Sequence, residues 1–256
     1  MKAQGVSSTG VPNDWFYGIA TSQYTLLKPT GMKMQRILEP EIMEDVEQAK
    51  AYDAADFSRA HDRRVEVFSE LAPPQAINGL VLDLGCGSGD LDFRLLSELP
   101  SISLIGIDGS REMIKLAMSS VAQRPDFQER ATFIESYIPS EKLPRGPYVT
   151  IMSNSFLHHL HNPQVLWDTI KQLATSDTFI FVSDLRRPET LVEAATIMEN
   201  LAGSEPEVLK RDFFNSLCAA FEVSEVEAQI RTAGLAGLEA RPLDDIHLVV
   251  SGFVRC

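Results

Sequence analysis

The sequence predicts an α/β chain whose mostly parallel sheet is covered by helices on both faces. Strand-like and helix-like segments alternate from residue 79 to residue 185, and the strand segments are apolar nearly throughout, as strands buried on both faces must be. A third observation gives the sheet a working edge. In VLDLGCGSGD, residues 81–90, three glycines at alternate positions follow an aliphatic run. Glycine at a strand end implies a positive φ, or a group coming too close for a Cβ, so this strand is expected to end on a ligand.

Each element has its own signal. PEIMEDVEQAKAYDAADF and DRRVEVFSELA carry helical periodicity and are stopped by Pro73-Pro74. GLVLDLG is then a strand and DLDFRLLSEL a helix. ISLIGID is the second strand, and SREMIKLAMSSVAQ the next helix with Ser110 as its N-cap. ATFIES and YVTIMSNS are strands, PQVLWDTIKQLA is a helix with Pro163 in its first turn, and TFIFVSDL is a fifth strand. After Asp184 the pattern changes. PETLVEAATIMENLA and EPEVLKRDFFNSLCAAF are helices with no strand between them, an insertion over about residues 188–220, and SEVEAQIRTAGL is a third helix. LEARPLDDIHLVVSGFVR reads as a hairpin turning at Asp244-Asp245.

Two segments are expected as one domain over residues 41–256 and an N-terminal arm over residues 1–40. The arm carries the cluster Trp15-Phe16-Tyr17 and is expected to pack on the body, to close over the ligand edge, or to join two copies as a homodimer. Composition narrows the function. A net charge of −13 argues against a nucleic-acid surface, which needs basic clusters. Arg63-Arg64 and Arg186-Arg187 are the exceptions and are expected to be solvated. No apolar run reaches about 18 residues, and the N-terminus lacks a charged and then apolar leader pattern, so neither a membrane span nor secretion is expected. Cys86, Cys218 and Cys256 are too few and too scattered for a disulfide framework, which suits a reduced, cytoplasmic setting.

The glycine turn restricts its ligand. A dinucleotide site prefers G-x-G-x-x-G, whereas here the third glycine comes one residue early and Asp90 occupies the first turn of the next helix. Asp83 adds negative charge at the strand end, and Asp108 closes the second strand, where a carboxylate can accept ribose hydroxyls. A ribose-bearing ligand with positive charge, S-adenosylmethionine, meets these requirements better than a dinucleotide. With LIGIDGS, and with YVTIMSNSFLHHLHNPQVLWDTIKQL further on, the chain resembles the class I S-adenosylmethionine-dependent methyltransferases of small-molecule type. The resemblance implies a Rossmann-like doubly wound sheet of seven strands with the last antiparallel. It also assigns residues. Gly85, Gly87 and Gly89 would surround the methionine moiety, Asp108 would hold the ribose, and Gly109, Ser110 and Met113 would flank ribose and adenine. Ser136, Tyr137 and Ile138 would meet the adenine edge, Ser153 and Asn154 would lie beneath the sulfonium, and Tyr52 would cover the carboxylate end. Many relatives carry an aspartate near position 137, where this chain has a tyrosine.

Methyl transfer from a sulfonium mainly needs alignment and exclusion of water, with a base only for a protonated nucleophile. The candidates are His158, His159 and His161 in SNSFLHHLHNP, together with Asp184 at the end of the fifth strand. Arg186 and Arg187 beside Asp184 would favour an anionic small-molecule substrate. No carboxylate is spaced to join the histidines, so no metal site is expected. Met198, Phe213, Phe214 and Phe221 either line an apolar cavity, making the insertion a lid, or pack the insertion on the core. The leading expectation is methyl transfer to an O, N or C nucleophile. A carboxy-S-adenosylmethionine synthase and a non-catalytic scaffold on the same fold stay open at this point.

Overall fold

The computed structural model describes residues 33–39 and 55–254. Residues 40–54 of the expected helix over residues 40–57, and the aromatic arm before residue 33, lie outside the described residues, and residues 55–57 are not helical. Seven strands form one sheet in the order β3-β2-β1-β4-β5-β7-β6. They are β1 (Gly79–Leu84), β2 (Ile102–Asp108), β3 (Ala131–Glu135), β4 (Thr150–Asn154), β5 (Phe179–Leu185), β6 (Leu238–Pro242) and β7 (His247–Phe253). Strands β1 to β5 pair in parallel, while β7 runs antiparallel to both β5 and β6. The hairpin expected around Asp244-Asp245 is therefore β6–β7.

The apolar strands divide their side chains between two cores with a period of two, as pleated backbone requires. On β1, Leu82 and Leu84 enter one core and Val81 the other; on β5, Ile180 and Val182 face opposite to Phe179 and Phe181. The second core is closed by helices α1 (Ser58–Leu71), α2 (Asp90–Glu98) and α3 (Arg111–Ala122), through Phe68, Leu95 and Ile114. The first is closed by α4 (Gln164–Leu173), with its fully buried Trp167, and by α7 (Val223–Ala233). Ser110 caps α3, its hydroxyl accepting from the Met113 amide at 3.3 Å.

As the consecutive strand segments ATFIES and YVTIMSNS imply, residues 136–149 join β3 to β4 without a helix. This segment carries Pro139, Pro144, Gly146 and Pro147, which cannot sustain one. The arginine pairs are solvated only in part: Arg63 is exposed, whereas Arg64 and Arg187 are buried, and Arg187 donates to Glu222 at 3.0 Å and Glu225 at 2.8 Å.

Helices α5 (Leu191–Ala202) and α6 (Glu207–Ala219) form the insertion after β5. They enclose a third, smaller core of Ala194, Leu217 and Cys218 with Leu185, and Met34 enters it as well. Residues 34–39 lie across it as a strap. The Met34 amide donates to Glu189 O, the Ile37 amide to Cys218 O, and Arg36 donates to the carbonyls of Ala219, His158 and Leu160 at 2.6, 2.8 and 2.9 Å. The Arg36 guanidinium also sits 3.9 Å over the Phe221 ring. Residues 34–39 pack as part of the compact unit that begins at Met34. Among the described residues no helix is long and apolar enough to cross a membrane.

Candidate active site

The strand order reverses between β1 and β4, and a crevice opens beyond the C-terminal ends of those strands, as it does in open α/β sheets. The turn after β1 forms one wall. Gly85, Gly87 and Gly89 all have positive φ, of 82°, 55° and 80°, but they serve different ends. A Cβ on Gly85 would stand 2.3 Å from the Phe156 ring, and one on Gly89 2.8 Å from Phe133. At Gly87 it would meet nothing within 4 Å, because that residue faces open space. Asp108 ties the turn to β2. Its Oδ2 accepts from the Gly87 amide at 2.9 Å and its Oδ1 from the Ser110 amide at 2.7 Å. Burial raises the Asp108 carboxyl against these two donors.

The crevice is a cavity of about 370 Å³, a size suited to a small ligand. Of the residues expected at the cofactor, Asp83, Gly85, Gly87, Asp108, Gly109, Ser110 and Met113 line it, as do Ser136, Tyr137, Ile138 and Asn154. Tyr137 is more than half exposed, and its ring lies against Gly109, where a Cβ would approach it to 3.1 Å. Two of the expected residues are not on the wall. Gly89 is turned into the core, and Ser153 is fully buried with its hydroxyl donating to Leu84 O at 2.7 Å. Tyr52 lies outside the described residues.

The charge at the crevice differs from the open negative field expected of Asp83 and Asp90. Asp90 accepts from His61 Nδ1 at 2.6 Å and from Arg94 Nε at 2.8 Å. The hydrogen bond from His61, and then Arg94, hold its carboxyl down to about 2 against partial burial. Asp83 faces Asp92 of α2 in the core. Burial raises Asp83 to about 7, with Asp108 adding repulsion, and raises Asp92 further. Asp83 Oδ1 and both Asp92 oxygens make no hydrogen bond, and burial of two carboxyls so placed disfavours ionising both.

Four groups were expected to act on the substrate, and only His159 lines the cavity. His158 and Asp184 are buried and bonded to each other. His158 Nδ1 lies 2.5 Å from Asp184 Oδ1, and the His158 amide donates to Asp184 Oδ2 at 3.2 Å. Burial opposes charge on His158, but Asp184 and Glu39 outweigh it and raise the imidazole. His161 Nε2 lies 2.7 Å from Glu39 O on the strap. Nor do Arg186 and Arg187 face a substrate. Arg186 donates to Asp245 O at 2.5 Å, and Arg187 is held by its two glutamates. Met198, Phe213 and Phe214 pack the insertion around its own core and Phe221 joins the first core, so the insertion does not line the cavity as a lid.

His61 was missed. It lines the cavity from α1, which begins at Ser58, four residues before the expected start. The signal was Asp56, whose Oδ1 accepts from the Ser58 amide at 3.0 Å and turns the chain into the helix. Phe156 on the cavity wall was missed as well; nothing local to its loop marks it.

A methyltransferase-domain family profile matches residues 78–231, from β1 into α7. The chain is 25% identical over 170 residues to malonyl-[acyl-carrier protein] O-methyltransferase 2 of Ilyobacter polytropus, covering 66% of this chain and 61% of that protein. It is 36% identical over 99 residues to the human MTRF1L release factor glutamine methyltransferase, covering 37% of this chain and 27% of that protein. The chain spans less than two thirds of the length of these curated relatives. Among solved structures, the plantazolicin methyltransferase BpumL with a desmethyl analog and S-adenosylhomocysteine superposes with a TM-score of 0.63 at 16% identity, covering 82% of this chain and 90% of that one. A methyltransferase from Aquifex aeolicus gives a TM-score of 0.60 at 18% identity, covering 83% and 100%. The seven-stranded sheet and the profile match agree: the chain belongs to the methyltransferase-domain family and has the fold of the S-adenosylmethionine-dependent methyltransferases it superposes on.

Proposed function

We propose that the chain transfers the methyl group of S-adenosylmethionine to a hydroxyl oxygen of a small-molecule acceptor inside the 370 Å³ cavity. The residues present fit the cofactor. Gly87 offers a backbone cradle that any Cβ would fill, and Asp108 sits beside it with a carboxylate positioned by two amides. In this reading Asp108 holds the ribose hydroxyls, Gly85 and Gly87 admit the methionine moiety, and Tyr137 and Ile138 border the adenine. Asn154 lies at the end of β4 on the acceptor side. When bound, the cofactor supplies a methyl group already activated on a sulfonium. What remains for the chain is to orient the acceptor, exclude water and take a proton from it.

The observation that carries the choice of a hydroxyl is the His61–Asp90 pair at the cavity wall. Asp90 stays ionised down to about pH 2 and faces His61 Nδ1, which fixes that nitrogen as the donor and leaves Nε2 as the proton acceptor. A base of this kind serves a nucleophile that arrives protonated, as an alcohol or phenol does, and is superfluous for a carboxylate. Two relatives named as O-methyltransferases, the malonyl-carrier enzyme and the structurally similar mitomycin 7-O-methyltransferase, support the oxygen reading.

The test is label transfer from S-adenosylmethionine to panels of alcohols, phenols, carboxylic acids and amines, with the product located by mass spectrometry. His61→Asn is expected to lower kcat by about 10²–10⁴-fold at unchanged cofactor affinity. Methylation of nitrogen or carbon, or wild-type turnover by His61→Asn, would overturn the proposal.

A further inference from the structure

Three donor groups from distant parts of the chain converge beside the cavity. Glu39 of the strap places Oε1 3.4 Å from His158 Nε2 and 3.3 Å from His159 Nδ1. All three donor atoms lie within 4.8 Å of one another. Glu39 and His158 are more than nine-tenths buried, their side chains 7% and 3% exposed. Glu39 Oε2 accepts from Ser216 at 3.2 Å, but Oε1 makes no hydrogen bond although two imidazole nitrogens stand next to it.

Those separations have a meaning in coordination chemistry. Ligand atoms bound at about 2.0–2.1 Å to one tetrahedral ion stand about 3.3 Å apart. The tautomer also fits. Asp184 at His158 Nδ1 fixes the proton on that nitrogen and turns the Nε2 lone pair toward Glu39, the carboxylate–histidine arrangement found behind metal ligands. A lone pair and a carboxylate oxygen facing each other in a buried site repel unless a proton or another cation lies between them. Arg36 does not supply it, because its guanidinium is engaged by three backbone carbonyls.

We propose that Glu39, His158 and His159 bind one divalent transition-metal ion of the zinc class, with Asp184 as the positioning residue for His158. Two imidazoles and one carboxylate suit zinc-class ions; magnesium and calcium call for mostly oxygen ligands. The ion would clamp the strap to the loop that carries His159 into the cavity wall. It would stabilise the folded chain by mass action, and its binding does not depend on which nucleophile is methylated.

The test uses the full chain without a histidine tag, stripped with chelator and titrated calorimetrically with zinc chloride, then with Co²⁺ followed by visible absorption. The expected result is one equivalent of zinc, a raised Tm, and the d–d bands of four-coordinate cobalt. Glu39→Gln and His159→Asn should each abolish the stoichiometric step while remaining folded by circular dichroism. Asp184→Asn should weaken it by about 10–100-fold, as loss of a positioning carboxylate does. Absence of stoichiometric zinc binding by the wild-type chain would overturn the proposal. So would binding that survives Glu39→Gln and His159→Asn together, since the ion would then sit elsewhere.

Discussion

At the scale of single residues, the Asp83–Asp92 pair ties the crevice to stability. Both carboxyls are buried and raised, Asp83 to about 7, above the ordinary value near 4 of an unfolded chain. Between those values the folded state binds more protons than the unfolded one, so stability is full at the acid end and falls as pH rises through about 7. Each unit of separation is worth about 1.4 kcal/mol. Asp92→Asn removes one of the two buried titrating carboxyls and should flatten this slope. Urea unfolding at about pH 5 and about pH 8 checks it; equal losses in wild type and variant would show that the two carboxyls are not coupled. The contrast with His158 shows what could be read in advance. Gly85, Gly87 and Asp108 follow from local rules, because a glycine-rich turn and an acidic strand end need only their own strands. The direction of His158 depends on Asp184 and Glu39, which only the folded sheet and strap bring to it.

Among elements, the strap of residues 34–39 ties two parts of the chain together. It lies over the insertion and the histidine loop, and its anchor is Arg36, with hydrogen bonds to three carbonyls. Bonds made by a charged donor are worth about 1.5–3 kcal/mol where the partners would otherwise be left unpaired, so Arg36→Ala should cost about 2–3 kcal/mol in denaturant unfolding. A loss below about 0.5 kcal/mol would mean that the strap rests on the surface without holding it. The strands and helices of the sheet were legible because period-two burial on two faces and proline stops are written locally. The insertion helices were legible too, but not their role. Phe213 and Phe214 have the same spacing whether they face a ligand or a core, and only packing against Leu217, Cys218 and Met34 decides for the core. Glu39 belongs to the same class, since nothing in its neighbourhood announces a partner on the far side of the sheet sequence.

For the whole molecule, the account rests on one claim: the crevice where β1 and β4 diverge is the cofactor site, with Asp108 as its principal polar anchor. Calorimetric titration of S-adenosylhomocysteine into wild type and Asp108→Asn tests it directly. The substitution keeps the size of the side chain but turns one acceptor, used by the Gly87 or Ser110 amide, into a donor, so Tm should fall while the chain stays folded, and affinity is read on the folded protein. The account predicts one equivalent bound by wild type and an affinity lower by about tenfold to a hundredfold in the variant, the 1.5–3 kcal/mol of a lost hydrogen bond to a charged group. Equal affinity in the two proteins, with both folded, would contradict it and move the cofactor away from the glycine turn.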